Sequence, residues 1–271
     1  MGVDMVKLGC NSVLFAGFDF ATAAKYVKMA GYDGIEISAL QGMCEHLVLD
    51  KWKEQAAEIK QIVGDNGLEL LSMEEAALDE TRLMLAFEAA AEIGIPVVNV
   101  GPGGQSDVEE DFVRQTDLLA AIAQKAESFG VTMCVKAHVG GSIYNTPTTL
   151  RAMEKITSPA FGIDMDPSHI YRAGEDPAQA LKPVLSKVKH IHIRDCKGPG
   201  PSPGTPPDQA CGRGEIDLYS YCKVMIEGGY DGPVCLEVIG ANDLELAQVT
   251  IIAAESRGYL NAILKQLDSG V

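Results

Sequence analysis

Two kinds of stretch alternate along the chain. Short runs rich in Val, Ile, Leu and Cys are separated by longer runs whose apolar residues recur at helical spacing. The short runs predict strands at 5–11, 34–38, 68–74, 96–101, 131–138, 160–166, 188–194 and 233–239. The longer runs predict helices near 19–30, 50–65, 79–93, 107–129, 147–157, 176–187, 217–228 and 243–267. Strands alternating with helices predict a parallel sheet. Eight of each, with no linker of changed composition, predict an α/β protein, a single (β/α)8 TIM barrel over residues 1–271. A doubly wound open sheet is the runner-up, but it usually has fewer units, and its phosphate-binding glycine fingerprint is absent. Gly-Tyr-Asp-Gly occurs at 31–34 and again at 229–232, each time between a helix and a strand. With Gly94-Ile95-Pro96, these segments read as helix-ending turns with glycine at the C-terminal cap.

Strand side chains alternate faces, so each strand names its inward residues. On the seventh strand Ile191 and Ile193 face the helices, which turns His190, His192 and Arg194 into the barrel. The same parity selects Glu237 on the eighth strand, Asp164 and Asp166 on the sixth, and Lys136 and His138 on the fifth. It selects Glu36 and Ser38 on the second strand and Ser72 and Glu74 on the third. Charges inside a barrel are costly unless paired or bound to metal. Any one of them reads equally well as a satisfied polar group at the barrel mouth. Asp166, His192 and Glu237 together predict a divalent-cation site, and mixed O and N ligands suit Mn, Mg, Co or Zn.

One segment differs from the rest. Cys196–Gly214 is loaded with Pro and Gly and follows the seventh strand. It therefore lies on the face where barrel active sites are built, and a loop this long predicts a lid or binding loop. Asp217 is placed to cap the next helix, which leaves Arg213 at the barrel mouth to meet a substrate oxygen or anion. The motifs GxxxxGK[ST], HExxH and GxSxG are absent.

Composition narrows the partners. The 271 residues are 46% hydrophobic and 22% charged, which excludes a disordered chain and allows a sizeable core. Lys plus Arg total 22 against 38 Asp plus Glu, a formal charge of -16, which argues against a nucleic-acid partner. No apolar run approaches the roughly 20 residues that span a membrane. Residues 1–7 lack a secretory apolar region, and Val6 stands where a myristoylation motif after Gly2 needs Ser or Thr. The seven cysteines are odd in number and never spaced C-x-x-C, which predicts reduced thiols in a cytoplasmic protein.

Taken in order, these segments resemble the xylose isomerase-like TIM barrel superfamily. It includes sugar isomerases, ketose 3-epimerases, inosose dehydratase, hydroxypyruvate isomerase and metal-dependent apurinic endonucleases. The resemblance rests on residues 31–38 (GYDGIEIS), Asp166-Pro167-Ser168-His169, His192-Ile193-Arg194-Asp195, Gly212-Arg213-Gly214 with Ile216-Asp217, and Leu236-Glu237. It implies Asp166, His192 and Glu237 as ligands of a divalent metal ion. Glu237 also resembles one member of the acid/base pair. His169 resembles the residue that contacts a substrate oxygen, and Arg213 the arginine that binds the far substrate hydroxyls. His138, Glu36 and Asp195 complete the expected substrate-binding set.

There is one departure. The superfamily's fifth-strand glutamate, both ligand and second acid/base, is replaced by Lys136. A protonated lysine cannot bind a cation. Either His138 becomes the fourth ligand, or the metal keeps three protein ligands and waters. A protonated Lys136 beside a divalent ion leaves the site about one unit positive, which favours an enolate-bearing or anionic ligand. The metal would in turn lower the lysine's pKa and make Lys136 a candidate base. The activity implied is a metal-dependent isomerase or epimerase of a keto sugar, acting through an enediolate. The alternatives are a dehydratase or lyase on a keto sugar or keto-inositol, and a sugar-binding barrel without turnover. The endonuclease branch is disfavoured by the -16 charge and the five histidines. A homo-oligomer is compatible with the resemblance, and the expected partner is a small carbohydrate.

Overall fold

A computed structural model of the chain describes residues 6–268. The expectations for residues 1–5, including the start of the first strand and most of the N-terminal reading, lie outside the described residues. So does the end of the domain assigned to 1–271.

Eight parallel strands close on themselves: β1 (Leu8–Asn11), β2 (Gly34–Leu40), β3 (Glu69–Glu74), β4 (Val97–Val100), β5 (Thr132–Lys136), β6 (Phe161–Asp164), β7 (Val188–Ile193) and β8 (Val234–Leu236). Each pairs with its sequence neighbours, and β1 pairs with both β2 and β8, which completes the barrel. A two-residue strand, Cys44–Glu45, pairs antiparallel with the end of β2. Around the barrel run α1 (Phe20–Met29), α2 (Trp52–Asp65), α3 (Glu80–Ile93), α4 (Glu109–Ser128), α5 (Thr146–Lys155), α6 (Pro167–Arg172), α7 (Pro177–Val184), α8 (Leu218–Glu227) and α9 (Leu246–Asp268). The expected (β/α)8 barrel is therefore present.

Local chemistry sets the helix ends. Asp19, Asp79, Asn145, Asp176 and Asp217 each accept a backbone N–H in the first turn of the helix they open. Gly94 ends α3 in a left-handed conformation, φ 92°, which glycine adopts without steric cost. One helix was not expected. The sequence places 160–166 wholly in a strand, but β6 stops at Asp164 and α6 follows. Pro167 at the first helical position and Asp166 as its cap account for the break.

The apolar core lies between strands and helices. Ile35, Ile37, Val98, Val135, Ile163 and Ile191 point outward and are fully buried there. The interior of the barrel is unusual. Branched apolar residues ordinarily fill it, yet here Asn11, Glu36, Ser72, Asn99, Asp164, His190 and His192 are completely buried. All seven cysteines are buried and none forms a disulfide. Among the described residues, no helix is long and apolar enough to cross a membrane.

Candidate active site

The polar interior forms two levels. The lower one centres on His192. Its Nδ1 lies 2.6 Å from Asp164 Oδ2, and its Nε2 lies 2.5 Å from Glu36 Oε2. His190 sits beside it, with Nδ1 3.0 Å from Asp164 Oδ1 and Nε2 2.9 Å from the Ser72 hydroxyl. Asn99 donates to Glu36 at 2.7 Å. Burial opposes charge on His192, but Asp164 and Glu36 outweigh it and hold its pKa well above the ordinary histidine value. The same pairing keeps Asp164 and Glu36 below the usual carboxylate range despite burial. His192 is an imidazolium clamped between two carboxylates.

The upper level opens into a cavity of about 250 Å3 at the C-terminal ends of the strands. Glu74, Lys136, His169, Arg194 and Glu237 bring their polar groups to its wall. Lys136 Nζ lies 2.7 Å from Glu74 Oε1 and 2.9 Å from Glu237 Oε1. Arg194 Nη2 lies 2.9 Å from Asp166 Oδ2 and 3.2 Å from Glu237 Oε2. Neither of those contacts has hydrogen-bond geometry, so Asp166 Oδ2 and Glu237 Oε2 keep buried lone pairs without a donor. Asn11 donates to the other oxygen of Glu74 at 2.6 Å.

These surroundings separate the two glutamates. Burial and the charge of Glu237 push Glu74 up to about 8. Burial also acts to raise Glu237, but Arg194 and Lys136 outweigh it and hold Glu237 well below the usual carboxylate range. Near neutral pH one carboxyl keeps a proton and the other is ionised, as an acid/base pair requires. The expectation of Lys136 as a base assumed a neighbouring cation, and two carboxyl groups face its ammonium here instead. Burial favours its neutral form, yet Glu237 and Glu74 raise it above the ordinary lysine value, so it stays an ammonium.

At the cavity wall, burial keeps His169 well below the ordinary histidine value and hence neutral. Arg172 Nη2 approaches its Nδ1 and Arg194 Nη2 its Nε2, both at 2.9 Å. A neutral imidazole has one acceptor nitrogen and can satisfy only one of these donors. The exposed His138 packs its ring 3.9 Å from that of His169. The Pro-rich loop reaches the same place. Pro201 and Pro203 line the cavity, and the Pro201 carbonyl accepts from Arg172 at 2.8 Å.

The expected residues therefore divide by position. Lys136, His138, His169 and Glu237 line one cavity. Glu36 and His192 lie at the lower level, bonded to each other. Asp166 is fully buried, and its Oδ1 accepts from Ser168 N at 2.8 Å to cap α6. Asp195 lies under the loop and accepts the backbone N–H groups of Cys196, Gly212 and Ile216. Arg213 is not brought to the mouth as expected. It is exposed and pairs with Glu255 of α9, its Nε 2.8 Å from Oε1. Glu74 and Arg194 are the residues that the expected site omitted, although strand parity had turned both inward.

The metal expectation can be tested against this geometry. Glu74, His192 and Glu237 bring ligand atoms within 4.8 Å of one another, close enough to share an ion, and so do Glu36, His190 and His192. Asp166 joins neither group. As the side chains stand, most of these ligand atoms face other charged groups. Glu74 and Glu237 already hold the Lys136 ammonium. Both ring nitrogens of His192 face carboxylates, which leaves no lone pair for a metal.

The family model described as "Xylose isomerase-like TIM barrel" matches residues 24–262. Inosose dehydratase 1 of Bacillus cereus is 23% identical over 218 residues, covering 72% of this chain and 67% of that protein. The structure of a D-tagatose 3-epimerase-like protein superposes with a TM-score of 0.77 at 18% identity, covering 97% of this chain and 99% of the other. The probable 3-DHS dehydratase AsbF of Bacillus anthracis gives 0.75 at 17% identity, covering 94% and 99%. These two structures are alike in fold.

Proposed function

The chain belongs to the xylose isomerase-like TIM barrel family, and from that premise we propose that it removes and returns a proton beside the carbonyl of a keto sugar or keto polyol. The observation that carries this reading is the Glu74–Glu237 pair, two carboxyls at one cavity bridged by Lys136, of which only Glu237 also meets Arg194. Glu237 takes the proton from the carbon next to the carbonyl. The C–H electron pair moves into the carbonyl, whose oxygen becomes the enolate oxygen. Lys136 and Arg194 supply the positive charge that this oxygen needs. The two cations also weaken Glu237 as a base while they face it. As their N–H groups turn to the developing enolate oxygen, Glu237 regains basicity. Of the expected enediolate chemistry, the intermediate is retained and its stabilising charge is assigned to the chain's own cations.

Two outcomes branch from the same enolate. Return of the proton to the other face, or to the neighbouring carbon, gives an epimer or isomer. Loss of the hydroxyl beyond the enolate, with the proton of Glu74 completing a water, gives a dehydrated product. The elimination branch is supported by the inosose dehydratase among the relatives and by the dehydratase among the fold neighbours. The epimerisation branch is supported by the 3-epimerase-like neighbour. Incubation with keto sugars and keto-inositols in deuterated water, read by mass spectrometry, tests the common step and separates the branches. A mass gain without loss of water marks proton return, and a product about 18 Da lighter than the substrate, before any deuterium it gains, marks elimination.

A further inference from the structure

Lys136 stands at the fifth-strand position where the resemblance expects a metal-binding glutamate. The structure puts its charge between the carboxylates that would hold an ion. Nζ contacts Glu74 and Glu237 at 2.7 and 2.9 Å, and its side chain is 6% exposed. A second fixed cation adjoins it, since Arg194 Nη2 lies 3.2 Å from the other oxygen of Glu237. The remaining expected ligands are committed elsewhere. His192 is clamped between Asp164 and Glu36, and Asp166 caps α6 through Oδ1 while its Oδ2 faces the Arg194 guanidinium at 2.9 Å. A divalent ion placed among these groups would meet two organic cations in a buried site, where like charges repel strongly.

We propose that the Lys136 ammonium, with the Arg194 guanidinium beside it, occupies in this protein the place of a divalent metal ion, and that the site binds and turns over its substrate without one. This deepens the proton-transfer reading and rests on it for the chemistry, but not for the charge placement. The consequence is a change in what the site asks of a ligand. A metal ion grips a carbonyl and a neighbouring hydroxyl together as a chelate. An ammonium gives separate N–H donors, one to each oxygen. Ketones that lack a chelating neighbouring hydroxyl are then acceptable substrates, provided Arg194 has an oxygen to meet.

The experiment reads metal and turnover separately. Purified protein is dialysed against chelator and then metal-free buffer, and its Mn, Co, Zn and Mg contents are measured by elemental analysis. Melting is then followed as Mn2+ is added. The expected wild-type result is far less than one ion per chain and no saturable rise in Tm. Lys136→Glu should gain one Mn2+ per chain and a Tm rise that saturates. Wild-type protein that retains one ion per chain, or whose Tm rises saturably with Mn2+, overturns the proposal. So does a folded Lys136→Glu protein that binds no Mn2+. If that variant does not fold, the wild-type measurements decide alone. Solvent deuterium exchange by the dialysed protein is the second readout. Its absence in metal-free protein, with its return on adding Mn2+, also overturns the proposal. A protein that neither binds metal nor exchanges deuterium overturns metal-free turnover along with the proton-transfer reading, and supports only the charge placement.

Discussion

Glu74 and Glu237 are the same residue type in one cavity, yet Lys136 bridges them and only Glu237 also meets Arg194. In the proposed reaction that asymmetry makes Glu237 the base and Glu74 the acid. Replacing Glu237 with Gln keeps the shape and removes the base, so kcat should fall by roughly 10²–10⁴-fold while circular dichroism is unchanged. Glu74 supplies a testable pH dependence. Its carboxyl is raised to about 8, so it is protonated below that value and ionised above it. If its proton completes the elimination, dehydration should be fastest below and decline as pH rises through about 8. A flat kcat profile from pH 6 to 9 would contradict that role. Lys136→Met leaves two buried carboxyls without their cation, and urea unfolding should show a loss of about 3–5 kcal/mol. Strand parity identified the inward residues, including Glu74 and Arg194. It could not assign partners, because Lys136 reaches residues 62 and 101 positions away. Nor could it place His192 below the cavity, since depth depends on how the strands are staggered.

The loop from Cys196 to Gly214 borders the cavity through Pro201 and Pro203. Its two ends are tied by one side chain, Asp195, which accepts from Cys196, Gly212 and Ile216. Its middle is tied by Gln209, which is buried and bonds the Ile239 backbone through both side-chain atoms at 3.0 Å. Gly214 passes so close to the Asp195 carboxylate and the Cys196 carbonyl that a Cβ there would collide with both. Gly214→Ala should therefore loosen the loop, raising KM more than it lowers kcat in steady-state kinetics. Arg213, one residue earlier, points to α9, and Arg213→Ala should leave kcat/KM unchanged. Composition placed the loop at the active face correctly, because Pro and Gly mark it and β7 fixes where it starts. It could not show which side chains turn inward, since an irregular loop has no period to read.

The whole barrel was legible for a physical reason. Strands buried on both faces read as short apolar runs, and helices covering them repeat every 3.6 residues. The net charge of -16 was less informative, because it averages an acidic exterior with a site where Lys136, Arg172 and Arg194 gather. Whether Glu237 takes a proton from beside a carbonyl is tested by deuterium incorporation into a panel of keto sugars and keto-inositols in deuterated water, comparing wild-type protein with Glu237→Gln. Wild-type protein should catalyse incorporation, and the variant should lose it. Equal incorporation by both proteins, or none by the wild type with any ketone that binds, would contradict this role for Glu237.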